Sequence, residues 1–358
     1  MIYYLIATLL LGAAALPPSN VRRALGWIAI ALLIVLGGLR FEVGTDWESY
    51  LDLFNLVAQD ELFSDLREEN GFLALVRAAQ FFSFSYQGVV FALFCLAFSL
   101  KLYAIFKFRA DVLVSLIVYF YSAFLIYDVN GLRQGLALGF VMCAGWFAVQ
   151  SRPVAFLGAM ALASSMHTVS LVALPVYLMA NLSWLSRKRL RVQYVSVAAL
   201  MSFGYALSRT LAQTDASVYL DLINLAGRYY HYIDNFEQTF SPVGLGSLQR
   251  IFILGLAIYM QRRLVAPQRA TLLLVNTYIA ATFIFYALSF NIEFMARVSF
   301  YYKIFDIILL SVMFRSLKTR LEKSAFFALL ATLMFGSIYQ LLSIPGGGLL
   351  PYRFRLFD

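Results

Sequence analysis

The chain has 358 residues, 62% of them hydrophobic and only 13% charged. A soluble domain carries about 25% charged residues, and nothing the size of an ordinary soluble domain remains once the long apolar runs are removed. The net charge of +9 does not indicate nucleic acid, because the basic residues gather in short loops between apolar runs, as cytoplasmic loops of membrane proteins do.

Apolar segments lie near 1–17, 24–40, 86–106, 111–128, 133–150, 153–165, 167–183, 191–208, 247–262, 270–290, 298–314 and 324–343. About 20 such residues cross a bilayer as a helix. The pattern therefore predicts an all-α, polytopic transmembrane bundle of about 12 spans, forming one integral membrane domain over residues 1–358. The first 16 residues lack a basic leader and an Ala-x-Ala-type cleavage site, so they read as a first span rather than a signal peptide. Segment 72–84 is shorter and carries Arg77, which predicts an interfacial or re-entrant helix. The stretch 153–183 is too long for one upright helix. It breaks at Ser164-Ser165-Met166-His167-Thr168, the expected tip of a helical hairpin. Cys95 and Cys143 lie in apolar runs and give neither a disulfide framework nor a zinc signature. Gly346-Gly347-Gly348 after Pro345 reads as a plain breaker.

Charge sets the expected orientation. Alternate loops hold Arg22 and Arg23; Lys101, Lys107 and Arg109; Arg152; Arg187, Lys188, Arg189 and Arg191; Arg262, Arg263 and Arg269; and Arg315, Lys318, Arg320 and Lys323. These are 17 of the 28 basic residues, against only Asp111 and Glu322 among the 19 acids. The positive-inside rule makes that face cytoplasmic and puts both termini outside. The outer face then holds two long loops, 41–70 and 209–246. The first is acidic, with Glu42, Asp46, Glu48, Asp52, Asp60, Glu61, Asp65, Glu68 and Glu69, and the second mixes acids with aromatics. Both have the composition of short amphipathic helices lying on the membrane.

Four separate segments bring polar residues to the ends of spans on that face. Arg40 ends a span, and Asp46 follows a Gly-Thr turn in Arg40-Phe41-Glu42-Val43-Gly44-Thr45-Asp46-Trp47-Glu48-Ser49-Tyr50. An arginine there either binds an anionic headgroup through its planar fork or snorkels to the interface. Arg133 and Gln134 open a helix after Asn130-Gly131-Leu132, where the positive helix end and the guanidinium together suit a phosphate. His167 is one of two histidines. Its imidazole is either a core hydrogen-bonding group or a proton acceptor near neutral pH. Glu293 and Arg297 are four apart and open another helix, as an ion pair or as part of the same site. Lys303 and Asp306, three apart, are expected to neutralise each other. Arg228 and His231 stand in an aromatic loop suited to sugar rings, to lipid headgroups or to an ordinary interfacial belt. Together Arg40, Arg133, His167 and Arg297 predict an outward-facing anion site with nearby proton acceptors. No DxD-like or His-cluster motif calls for a metal, and no cofactor is expected.

In this order, Arg40 through Tyr50, the Arg133-Gln134 helix start, His167-Thr168 with Ser170, and Arg297 through Tyr302 resemble the EpsG-type family of Wzy-like exopolysaccharide and O-antigen polymerases. The resemblance implies a bacterial inner-membrane glycosyltransferase with a GT-C-like helical fold. It implies transfer of a glycan from one undecaprenyl diphosphate carrier to the sugar of another, alongside flippase and chain-length-control proteins. On that reading Arg40, Arg133 and Arg297 bind the diphosphate, and His167 or Asp46 takes the hydroxyl proton. Glu42, Tyr50, Gln134, Arg228, His231 and Glu293 contact substrate. An O-antigen-ligase-type or other lipid-linked sugar transferase shares this site logic with a different acceptor. A transporter or lipid-carrier flippase would instead place ionisable groups near the midplane, in two related halves. No half-repeat is visible.

Overall fold

The computed structural model describes residues 1–59, 69–183, 185–212, 244–290, 292–344 and 348–355. Regular structure among them is helical, apart from one antiparallel bridge between Arg40 and Phe354. The chain divides into two compact units: Met1–Leu174 with Asp306–Asp358, and Pro175–Phe305.

The first unit contains α1 (Ile2–Ala15), α2 (Asn20–Gly38), α3 (Trp47–Ala58), α4 (Asn70–Phe81), α5 (Tyr86–Lys107), α6 (Val112–Tyr119), a π-helical segment (Phe120–Asp128), α7 (Leu132–Val149), α8 (Pro153–Met166) and a 3₁₀ turn (Thr168–Ala173). The second holds α9 (Val176–Met179), α10 (Leu190–Leu211), α11 (Leu245–Met260), α12 (Gln268–Ala287) and α13 (Ile292–Lys303). The chain then returns to the first unit with α14 (Asp306–Ser316) and α15 (Arg320–Leu342). Of these, α2, α5, α7, α12 and α15 are long and apolar enough to cross a membrane, and α1, α6 with its π extension, α8 and α11 are shorter apolar helices.

Local chemistry explains where the helices start. The Asp111 carboxylate accepts from the Val114 amide (3.1 Å) and caps α6. Thr319 and Glu322 form a reciprocal capping box at the start of α15 (3.1 and 2.9 Å). In the first unit α6 and the π segment are buried almost throughout, as a continuous apolar run without a polar face requires.

Three sequence expectations are corrected. Residues 167–183 do not form one regular α-helical arm: His167 is extended, and the apolar helical stretch Thr168–Met179 is shorter and irregular, a 3₁₀ turn followed by Pro175 and the four-residue α9. Proline lacks the amide that would continue a helix through it. The predicted span 298–314 breaks after Lys303, so Lys303 closes α13 and Asp306 opens α14. Lys101, counted among cytoplasmic loop charges, is fully buried inside α5. Its ammonium donates to Asp128 Oδ1 (2.8 Å) and to the Gly135 carbonyl (2.7 Å), while the Tyr119 hydroxyl donates to Asp128 Oδ2. A lysine is tolerated at such depth because its charge is paired.

Both ends of the first unit are well defined. At one, Arg22 Nη2 bonds Asp111 Oδ1 (2.9 Å), Ser311 donates to the Asp111 carbonyl (3.0 Å), and Arg315 Nη1 donates to the Arg109 carbonyl. At the other, the Phe41 amide donates to Arg353 O (3.0 Å), the Arg355 amide to Leu39 O (3.0 Å), and the Tyr3 hydroxyl to Leu349 O (2.9 Å). The start of α1, Arg40 and residues 348–355 thus share one end. Gly348 is more than a breaker, since its carbonyl accepts the Gly44 amide (2.8 Å).

Candidate anion site at one end of the first unit

Two motifs far apart in sequence are joined by a tight turn. Gly44 has φ +110, where L side chains are strained, and a Cβ there would lie 2.7 Å from the Val129 carbonyl. The turn lets the Thr45 amide donate to Asn130 Oδ1 (3.1 Å). It also starts α3, whose buried Trp47 packs with Val90 and Leu132. The Tyr86 hydroxyl donates to the Trp47 carbonyl (2.8 Å), with the two rings edge to face at 4.9 Å. Phe41, Trp47, Tyr50 and Tyr86 therefore form an aromatic wall beside the Arg133 helix start.

Arg40 is only 2% exposed. Its Nη1 donates to the Gly37 carbonyl (2.5 Å), and its Nε has no partner among the described residues. Its electrostatic neighbours are the hydroxyls of Tyr86, Tyr50 and Tyr352, and the Asp128 carboxylate, which is bonded to Lys101 and Tyr119. Among the described residues no carboxylate lies within ion-pair distance of this guanidinium. Such burial is unfavourable for a cation unless an anion compensates it.

Glu69 connects the remaining residues, and no role was assigned to it from sequence. Its Oε2 accepts from Arg133 Nη1 (2.9 Å); its Oε1 accepts from the Thr168 amide (3.0 Å) and hydroxyl (3.2 Å). Gly71 allows this, because a Cβ there would sit 2.5 Å from Ser165 Oγ, so α4 rests directly on the end of α8. Burial raises the Glu69 pKa, but the Thr168 amide, Arg133 and His167 outweigh it and hold the carboxyl below its ordinary value. Glu69 is thus an anion at neutral pH. In sequence it was one of nine acids in one loop. Its partners lie 64 and 99 residues away, so no local pattern marks it.

The other predicted residues fall around this link. Arg133 is stacked beside the Tyr50 ring (6.0 Å), and its amide donates to the Tyr50 hydroxyl (3.4 Å). Burial raises the Tyr50 pKa, with Arg133 opposing and Asp46 reinforcing the shift. Asp46 stands at the N-cap position of α3 without capping it; its Oδ1 accepts from Thr45 Oγ1 (3.1 Å). Half-buried His167 ends α8, within electrostatic reach of Glu69. Gln134 is buried, and its side-chain nitrogen has no partner among the described residues. Glu42 sits in the left-handed region (φ 54), and its exposed carboxylate pairs with Arg353. Arg297 is half-buried on α13 of the second unit. Arg228, His231 and the Glu293 side chain lie outside the described residues. Of the first outer loop, 47–58 forms the amphipathic α3; 60–68, and 213–243 of the second, lie outside the description.

Apolar helices with a polar site gathered at one end define a helical membrane protein. The chain belongs to the EpsG family, whose model matches residues 23–354. At the family level this is a bacterial, Wzy-like polysaccharide polymerase with glycosyltransferase-like activity on lipid-linked oligosaccharide. No curated protein and no solved structure matches the chain.

Proposed function

We propose that this protein joins undecaprenyl-diphosphate-linked oligosaccharide units at the extracytoplasmic face of the bacterial inner membrane, on a GT-C-like bundle. The observation that carries the reading is Arg40, a buried guanidinium with no carboxylate at ion-pair distance among the described residues. It stands near Tyr50, which is bonded to Arg133, at one end of the helices. An acceptor-sugar hydroxyl attacks the donor's anomeric carbon. The bond to the diphosphate oxygen breaks, and undecaprenyl diphosphate leaves with the electron pair. Charge grows on that diphosphate in the transition state, so fixed guanidinium donors stabilise it more than the ground state. Arg40 and Arg133 fill this role. The hydroxyl proton passes to His167 or Asp46, and Glu69 positions His167 and Arg133 by charge and hydrogen bonding. The aromatic wall offers flat apolar faces for sugar rings.

Arg133→Lys tests the diphosphate assignment. It keeps the charge and removes the planar fork. Affinity for a purified lipid-diphosphate-linked repeat unit is expected to fall about 10- to 100-fold, the loss of one charge-assisted hydrogen bond, and polymer formation should fall with it. Wild-type affinity and polymerisation in this variant would return Arg133 to the role of an interfacial charge.

Orientation is tested separately by thiol labelling of intact cells. Glu48 and Lys188 are both exposed. Glu48→Cys is expected to react with an impermeant maleimide added outside, and Lys188→Cys only after permeabilisation. The reverse pattern would put the Arg40 site on the cytoplasmic face and exclude this substrate route.

A further inference from the structure

A cavity of the first unit lies at the end opposite Arg40 and plays no part in the proposed transfer. It encloses about 870 Å³ between the start of α2, the end of α5, the start of α6 and the end of α14. That is ample for a lipid headgroup, since small-molecule sites span about 300–1,000 Å³. Arg22, Arg23, Arg109 and Arg315 line it, and Asp111 is the one acid in its wall. Asp111 is engaged by Arg22, at 2.9 Å. Arg315 bonds the Arg109 carbonyl, which leaves both guanidinium charges without an acidic partner there. Arg23 is exposed and makes no ion pair among the described residues. The wall therefore carries an excess of three positive charges. Arg109 holds a left-handed backbone (φ 52), a conformation unfavourable for a non-glycine residue. Strain of that kind persists only where the surroundings impose it.

The cavity also has an apolar side. Trp27 and Phe106 line it, with ring centroids 6.2 Å apart, yet they are 60% and 45% exposed. Trp27 lies about 6 Å along α2 from Arg23, at a rise of about 1.5 Å per residue. A cationic cavity thus opens beside exposed aromatic surface on the apolar flank of a membrane helix. The matching ligand is an amphiphile with an anionic phosphate head and hydrocarbon chains. A free phosphate would meet the arginines but have no use for Trp27 and Phe106.

We propose that this cavity binds the phosphate headgroup of an anionic membrane lipid, with its acyl chains along Trp27, Ile30 and Phe106. The site is separate from the transfer site and does not depend on the polymerase reading. It fastens that end of the first unit to the leaflet surface.

Native mass spectrometry or calorimetry on the full-length protein in a neutral detergent tests it, with short-chain phosphatidylglycerol, short-chain phosphatidylcholine and inorganic phosphate as probes. Wild type is expected to prefer phosphatidylglycerol over phosphatidylcholine by at least about tenfold, and salt at about 0.5 M should weaken that preference. Arg23→Gln with Arg109→Gln removes two charges that have no acidic partner. It should weaken phosphatidylglycerol binding about 30-fold, from about a fivefold contribution by each arginine near an anionic surface. Phosphatidylcholine binding and polymer formation should stay unchanged. Equal affinity of wild type for the two lipids overturns the proposal, and that arm needs no variant. Displacement of phosphatidylglycerol by millimolar inorganic phosphate would overturn the lipid assignment, because the chains would then contribute nothing. Unaltered phosphatidylglycerol binding by the double variant would overturn the placement.

Discussion

Replacing His167 by alanine is expected to lower polymer formation by about 100- to 10,000-fold, the usual contribution of a general base, while carrier affinity stays within about twofold of wild type. The geometry gives His167 an anionic neighbour, because Glu69 is held ionised by the Thr168 amide and by Arg133. A carboxylate beside an imidazole stabilises the imidazolium that forms when the ring takes a proton. Asp46 is placed differently. It bonds Thr45 Oγ1 and acts electrostatically on Tyr50. Asp46→Asn keeps nearly the same volume and tests it as the alternative base. Glu69→Gln completes the set. It retains an acceptor for Thr168 but removes the charge felt by His167 and Arg133, so a positioning role predicts a fall in turnover for Glu69→Gln only where His167 is present. In a His167→Ala background, Glu69→Gln should add little to the loss in turnover. The measurements are polymer yield and carrier affinity on the same purified, folded variants. Near-wild-type polymerisation by both His167→Ala and Asp46→Asn would remove both from the role of base.

Asp128→Ala is expected to destabilise the first unit by about 3–5 kcal/mol, the usual effect of removing one partner of a buried ion pair. Lys101 and Asp128 are 0% and 1% exposed and 2.8 Å apart. Without Asp128, the ammonium keeps, among the described residues, only the backbone carbonyls of Gly135 at 2.7 Å and Ala97 at 3.4 Å as hydrogen-bond acceptors. The fit around the carboxylate is close: a Cβ on Gly135 would lie 2.2 Å from Asp128 Oδ1. The double variant Lys101→Met with Asp128→Ala removes both charges and should recover most of that loss. Unfolding of the purified protein in detergent, by heat or by a denaturing detergent, reads both effects. The pair also supports the site from below. Asp128 closes the π segment, and Asn130, two residues on, accepts the Thr45 amide. Polymer formation in Asp128→Ala is therefore expected to fall further than the fraction of folded protein does. A melting curve like that of wild type would mean that the pair does not hold the π segment in place.

Hydropathy alone located the apolar helices to within a few residues, because a segment buried in lipid must satisfy its backbone internally and shows it as a long apolar run. The same property placed Arg40, Arg133, His167 and Arg297 at segment ends. What hydropathy could not resolve were breaks inside apolar runs. Those at Thr168–Ala173 and between Lys303 and Asp306 leave the mean hydropathy unchanged while altering the backbone. Lys101 was misassigned for a related reason. An isolated lysine near the end of a run looks like a loop residue, and only the three-dimensional contact with Asp128, 27 residues on, makes its burial tolerable. Glu69 was hidden among other acids because its meaning lies in partners on α7 and after α8, brought together by the glycine contact between α4 and α8. Residue chemistry and the period of apolar segments are local properties, and the sequence determines them directly. Which charge neutralises which, and which arginine remains without an acid, depends on contacts between residues tens of positions apart, so tertiary packing alone decided it.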